Sequence, residues 1–184
     1  MKYTLEIQKR LLQVENGNLS PHEKALLLKE AIRIADENDD PQWAVEMRLD
    51  LIYELNLLSQ AEEEIAVFSR ILDDYENNKD LISENDILWK YKWICGAAFD
   101  VPEVSQSQID AILEDFKIRT LRNGYSARAY YHLLFLHYNR MRQYDLAKEY
   151  ADKMLSEKLD DMMCEACELN LLLDYYLETG RFDE

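Results

Sequence analysis

Along most of the chain apolar residues recur at intervals of three and four, the period of a helix with one buried face. The clearest case is 125–155, GYSARAYYHLLFLHYNRMRQYDLAKEYADKML. It reads as two antiparallel helices joined by a tight turn at Met141-Arg142-Gln143. Upstream, the pattern predicts a first helix over 3–16. Leu5, Leu12 and either Ile7 or Leu11 form its stripe, and Gly17 is its stop. Ser20-Pro21-His22-Glu23 opens a second helix, with serine as cap, proline at the first helical position and Glu23 closing a capping box. Leu27, Ala31, Ile34 and Ala35 follow at helical spacing. Asn38-Asp39-Asp40-Pro41 ends the run, because proline disfavours helical geometry in the residue before it.

A third helix is predicted over 42–57. Its stripe of Met47, Leu51, Ile52 and Leu55 is surrounded by further apolar residues, the mark of burial on more than one side. Ser59, with Glu62 three residues on, is expected to cap a fourth helix carrying Ile65, Phe68, Ile71, Leu72 and Tyr75. The polar stretch 77–80 leads to an aromatic helix over 85–99 with Trp89, Tyr91, Trp93 and Phe99, which Asp100-Val101-Pro102 breaks. Ser105 and Gln108 form another capping box ahead of Ile109, Ile112, Leu113, Phe116 and Leu121, and Asn123-Gly124 is a left-handed stop. A ninth helix is expected over 161–179, ending at Gly180.

The odd helices begin near 3, 42, 85, 125 and 161, the even ones near 20, 60, 105 and 143. Both series step by about 40, and two helices per step are the signature of an α-solenoid, in which each hairpin buries its face only against its neighbours. The fold class is therefore all-α: antiparallel helix hairpins, about nine helices, over 1–184 as one helical-repeat domain.

In 125–155, Tyr131, Leu134, Tyr138, Tyr144, Ala147 and Leu155 sit at the spacing that resembles tetratricopeptide repeats. Phe135 and Met154 depart from it, standing where that repeat prefers small residues. Leu172, Tyr176 and then Gly180-Arg181-Phe182-Asp183-Glu184 are similar to the next repeat and its turn. The likeness is weaker over 41–76, where Glu64 takes the expected small position, and weakest over 85–122. The chain is also similar to a group of bacterial repeat proteins with no assigned activity, through Leu88-Trp89-Lys90-Tyr91-Lys92-Trp93 and Cys164-Glu165-Ala166-Cys167-Glu168. The resemblance implies a right-handed superhelix whose first helices line a concave, partner-binding face. Carried over by spacing, that face comprises His132, Leu136, Asn139, Asn170, Asp174 and Leu177, with Tyr53, Asn56, Lys90 and Trp93 from earlier helices. The last unit stops at its second helix, which implies either the N-terminal part of a longer solenoid or a second copy covering an open apolar end as a homodimer.

Composition narrows the function classes. Of 184 residues 48% are apolar, with only 4 Gly and 3 Pro, which suits long helices with short links. Lys+Arg total 21 against 37 Asp+Glu, a net charge of −16. Such a surface repels phosphate backbones and anionic membranes, so the expected partner is a protein or peptide; the charge itself reads first as solubility, with a basic partner as the sharper alternative. Neither a signal peptide nor a membrane-length apolar run occurs, and three cysteines make no disulfide framework, so a reducing cytoplasm is the expected compartment.

Candidate chemistry is sparse. Cys164 and Cys167 have the spacing of a redox pair or of half a zinc site. Asp160, Asp161, Glu165 and Glu168 around them would raise the thiol pKa and oppose redox activation, and no second ligand pair accompanies them. His132 and His137 lie five apart and do not share a helical face. Asp36 to Asp40 alternates oxygen ligands, but Pro41 replaces the glycine that a calcium loop needs and Met47 its bidentate glutamate. No phosphate loop is present, and no cofactor is expected. The reading is a scaffold that binds a partner's peptide or helix without catalysis. The alternatives are a metal- or redox-linked module at Cys164/Cys167, and homodimerisation.

Overall fold

The structure is a computed structural model, and it describes residues 2–181. The described residues form nine α-helices and no strand. They are α1 (Lys2–Asn16), α2 (Pro21–Glu37), α3 (Pro41–Leu57), α4 (Ala61–Asn77), α5 (Glu84–Ala98), α6 (Gln106–Arg122), α7 (Arg128–Arg140), α8 (Tyr144–Ser156) and α9 (Glu165–Thr179). Helices pack on their chain neighbours in an all-α repeat fold, and the chain divides into two compact units, Met1–Lys90 and Tyr91–Glu184. None of the described helices is long and apolar enough to cross a membrane.

In the first unit α1 packs on α2, α2 on α3 and α3 on α4. Because α3 is covered by two neighbours, it buries Ala44, Val45, Met47, Leu51, Ile52 and Leu55, as its continuous apolar pattern requires. Among the described residues α1 packs mainly on α2 and buries a single stripe. That stripe is Tyr3, Ile7, Leu11 and Val14, whereas the expected Leu5 and Leu12 are exposed. The α2 start follows the sequence: Ser20 caps it, Glu23 accepts from the Ser20 amide at 2.8 Å, and Pro21 opens the helix. The α4 start does not. Its cap is Gln60 and makes no side-chain bond, while Ser59 lies in the preceding turn at φ 54. That turn needs a left-handed residue so that the Ser59 and Gln60 amides can reach the carbonyls of Asn56 and Leu55, both at 3.0 Å.

Asp39 and Arg142, at φ 50 and 56, do the same in the α2–α3 and α7–α8 turns. In the second unit α7 packs against α6, α8 and α9. Phe135 and Met154, the two bulky departures from the repeat pattern, are fully buried with Leu172 and Tyr175, and the small Ala147 and Ala151 make room for them. Tyr138 stacks on Tyr150 at 5.3 Å. Leu155, at a matched repeat position, is exposed. α6 keeps its expected capping box, with the Gln108 side chain accepting from the Ser105 amide at 2.9 Å, and Gly124 takes φ 82 beyond its end. α9 begins at Glu165, four residues later than expected. Gly180 ends it at φ 69, and Phe182-Asp183-Glu184, expected to open a further helix, lie outside the described residues.

Candidate functional site

The late start of α9 has a local cause. The Asp160 carboxylate accepts from the Ser126 amide at 2.7 Å and from the Met162 amide at 3.0 Å, which holds 160–163 in a turn instead of a helix. Met162 and Met163 are buried under that turn. Arg128, at the start of α7, clamps it further: its guanidinium donates to both Glu168 oxygens at 2.7 Å and to the Glu157 carbonyl at 2.6 Å. Arg128 and Glu168 are both buried, so this is a desolvated bidentate pair joining α7 to α9.

The turn places Cys164 at the N-cap of α9 and Cys167 one helical turn further on; Cys164 is half-buried, Cys167 exposed, and both are free thiols. The amides of Ala166 and Cys167 and the Cys167 thiol face the Cys164 sulfur. Neither amide completes a cap hydrogen bond, but the Cys167 thiol, the two amides and the Lys92 charge together hold the Cys164 pKa below the ordinary cysteine value. The Cys167 thiol is pushed up, first by its hydrogen bond to Cys164 and then by burial. The expectation that acidic neighbours raise the pKa of both thiols is therefore corrected for Cys164. Glu168 is taken up by Arg128 and Asp160 by backbone amides, while a cation stands close by.

That cation is Lys92 of α5, whose buried ammonium donates to the Met162 carbonyl at 2.5 Å. Burial lowers its pKa to about 8, and the charges of Cys167, Cys164, Glu168 and Asp160 hold it from falling further. His132 on α7 faces the same groups. Its Nδ1 is sealed from solvent without a hydrogen-bond partner, and burial, with the Lys92 charge, lowers its pKa to about 4. His137 points elsewhere, packing on Phe99 with ring centroids 4.6 Å apart. Cys95 is buried, with its thiol pushed up by desolvation. Among the described residues no three His, Cys, Asp or Glu side chains come together to hold a metal.

Of the other residues picked for a partner-binding face, Tyr53, Asn56, Asn170, Asp174 and Leu177 are exposed, Lys90, Trp93 and Leu136 are half-buried, and Asn139 is buried. In the first unit Asn56 and Lys90 converge on buried Glu64. The Asn56 amide lies 3.5 Å from its carboxylate, at the limit of a hydrogen bond, and Lys90 is in charge contact with both Glu64 and Asp50. Burial raises the pKa of Glu64 and of Asp50. On α9, Asn170 and Asp174 flank a row of leucines, Leu169, Leu173 and Leu177, which are 60%, 55% and 56% exposed.

Lys92, Arg128 and the structural work of Asp160 escape a reading by hydrophobic period, which treats charges as surface. A signal existed in spacing: Arg128 and Glu168 are 40 residues apart, as are Arg140 and Asp100, whose side chains meet at 2.8 Å. Opposite charges about one repeat step apart can thus meet between successive hairpins. No family model, curated protein or solved structure matches the chain.

Proposed function

We propose that the chain is an interaction module of tetratricopeptide type that holds a helix of a partner protein. The observation that carries this reading is the α9 leucine row. Leu169 and Leu173 occupy on α9 the places that Tyr131 and Phe135 occupy on α7, and those two pack against α8. A face that one neighbour fills with a helix is shaped for a helix in the next unit. Asn170 and Asp174 beside it supply amide and carboxylate contacts, and the net charge of −16 favours a partner helix with basic flanks. A reducing cytoplasm fits cysteines that are free.

The test is cross-linking and affinity capture with the full chain against Leu173→Glu and Asp174→Lys, each checked for unchanged circular dichroism. Partners lost with both variants support the reading; the same partners kept by both would sink it. A second copy of this chain is the second reading, since the same leucine row serves a homodimer equally well. Concentration-dependent sedimentation abolished by Leu173→Glu would select it.

A further inference from the structure

The thiols at the start of α9 have surroundings that a packing role does not require. A structural cysteine is inert when buried in apolar surroundings, as Cys95 is. Cys164 is instead half-exposed at a helix N-cap, with a second thiol one turn away on the same side and a buried ammonium facing both. The site is built from three helices and a loop: Lys92 from α5, His132 from α7, Glu168 from α9 and Asp160 from the loop before α9. His132 keeps a sealed Nδ1 with no hydrogen-bond partner, beside the Lys92 and Glu168 that also face the thiols. Lys92 opposes any metal cation there, and no third ligand joins the thiols among the described residues.

We infer that Cys164 and Cys167 form a thiol–disulfide exchange site, with Cys164 as attacking sulfur and Cys167 as resolving thiol, acting on an accessible disulfide. The substrate class is a disulfide bond R–S–S–R′, carried by a small thiol compound or by a protein. The Cys164 thiolate attacks the R sulfur; the R–S–S–R′ bond breaks, a Cys164–S–S–R bond forms, and R′S⁻ departs and takes a proton. Cys167 then gives up its proton and attacks the Cys164 sulfur; RS⁻ departs and takes a proton. Two protein thiols become one disulfide and the substrate disulfide becomes two thiols, so electrons balance without another carrier. Side chains three apart at a helix start have Cβ atoms about 5–6 Å apart. A disulfide needs about 3.5–4.5 Å. The non-helical cap residue Cys164, at φ −105 and ψ 111, is the place that absorbs the difference. The ammonium of Lys92 steadies the thiolate in the reduced state, and Arg128 and Asp160 hold the turn that aims it. Nothing in this geometry depends on partner docking.

The full chain, equilibrated with mixtures of reduced and oxidised glutathione, quenched with acid and alkylated, is to be weighed by mass spectrometry. The expected product lacks two hydrogens, mapped to 164–167, with Cys95 unmodified. Cys167→Ser is expected to accumulate a glutathione adduct on Cys164. Cys164→Ser should react with oxidised glutathione slower by on the order of tenfold. Lys92→Met is expected to slow Cys164 alkylation near neutral pH and move its pH midpoint upward at unchanged circular dichroism, whereas Lys92→Arg keeps the rate; a purely structural lysine would move no pH midpoint. Reduction of insulin by the reduced chain would make protein disulfides substrates, and reaction with glutathione disulfide alone would restrict the class to small ones. Absence of a 164–167 disulfide at every glutathione ratio overturns the inference, as does a Cys167 that reacts faster than Cys164.

Discussion

Single residues in this protein sit in conformations and environments that cost free energy, and two of them make measurable predictions. Arg142 closes the α7–α8 turn at φ 56, a region where an L side chain crowds the following carbonyl. The turn itself is satisfied, since the Arg142 and Gln143 amides both donate to α7 carbonyls at 2.9 Å, so only the side chain is strained. Arg142→Gly is therefore expected to stabilise the fold by up to about 1 kcal/mol, read as a higher thermal midpoint. An unchanged or lower midpoint would mean that the glycine gains more freedom in the unfolded chain than the turn releases. His132 makes a pH prediction. Its folded pKa lies at about 4 against an ordinary 6.5, so the folded state resists the proton that the unfolded chain accepts. The sign follows: stability is lost as pH falls from about 6.5 towards 4, and nothing is lost above that window. Between pH 7 and 5 the wild type should lose about 1–2 kcal/mol more than His132→Gln, measured by denaturant unfolding at each pH. Parallel pH profiles would show that the imidazole is not desolvated.

At the scale of elements, what fixes each helix is how many neighbours cover it. The hydrophobic period found the nine helices of the described residues and the burial of α3 on more than one side, because α3 is apolar around most of its circumference. It found Ile7 and Leu11 on the buried stripe of α1 but wrongly added Leu5 and Leu12, which fit a helical period as well as Tyr3 and Val14 do; only the position of α2 decides between them. It also placed the start of α9 four residues early, since Met162 and Met163 continue an apolar pattern, and one of the two Asp160 bonds that break the helix reaches the amide of Ser126, far back along the chain, while the other closes on the Met162 amide. The sequence thus puts Cys164 near the start of the helix but not at its cap, and the thiol site is legible there only as two cysteines at a suggestive spacing. The Arg128–Glu168 clamp belongs to this scale as well. Removing one member of a desolvated bidentate pair leaves the other charge buried alone. Arg128→Met should destabilise the second unit by about 3–5 kcal/mol. Arg128→Met combined with Glu168→Leu should recover most of that loss, because no charge is then stranded. A double variant no better than the single one would show that the guanidinium bond to the Glu157 carbonyl, rather than the ion pair, holds the turn.

For the molecule as a whole the governing quantity is its charge. There are 37 acidic against 21 basic side chains, and the structure spends many of the basic ones within single helices, as in Lys148–Asp152 and Lys153–Glu149. Exposed pairs of this kind contribute roughly 0.2–1 kcal/mol each and are screened by salt. Arg128 and Glu168 form a buried pair, and the buried Arg48 reaches the largely buried Asp74 as well as the exposed Asp36; salt reaches the buried pairs much less. What remains is an uncompensated excess of carboxylates spread over the surface, whose mutual repulsion opposes the folded state and falls as the screening length shortens from about 30 Å at 0.01 M to about 8 Å at 0.15 M. The two effects of salt have opposite signs. Loss of exposed pairs lowers the thermal midpoint and relief of repulsion raises it; with 16 more negative than positive charges, relief should win. The thermal midpoint is therefore expected to rise by a few degrees over that salt range, and to rise equally with sodium and with choline chloride, because screening depends on ionic strength and not on the cation. A rise with sodium alone would point to cation binding at a carboxylate cluster instead. A falling midpoint would mean that the exposed ion pairs outweigh the net charge.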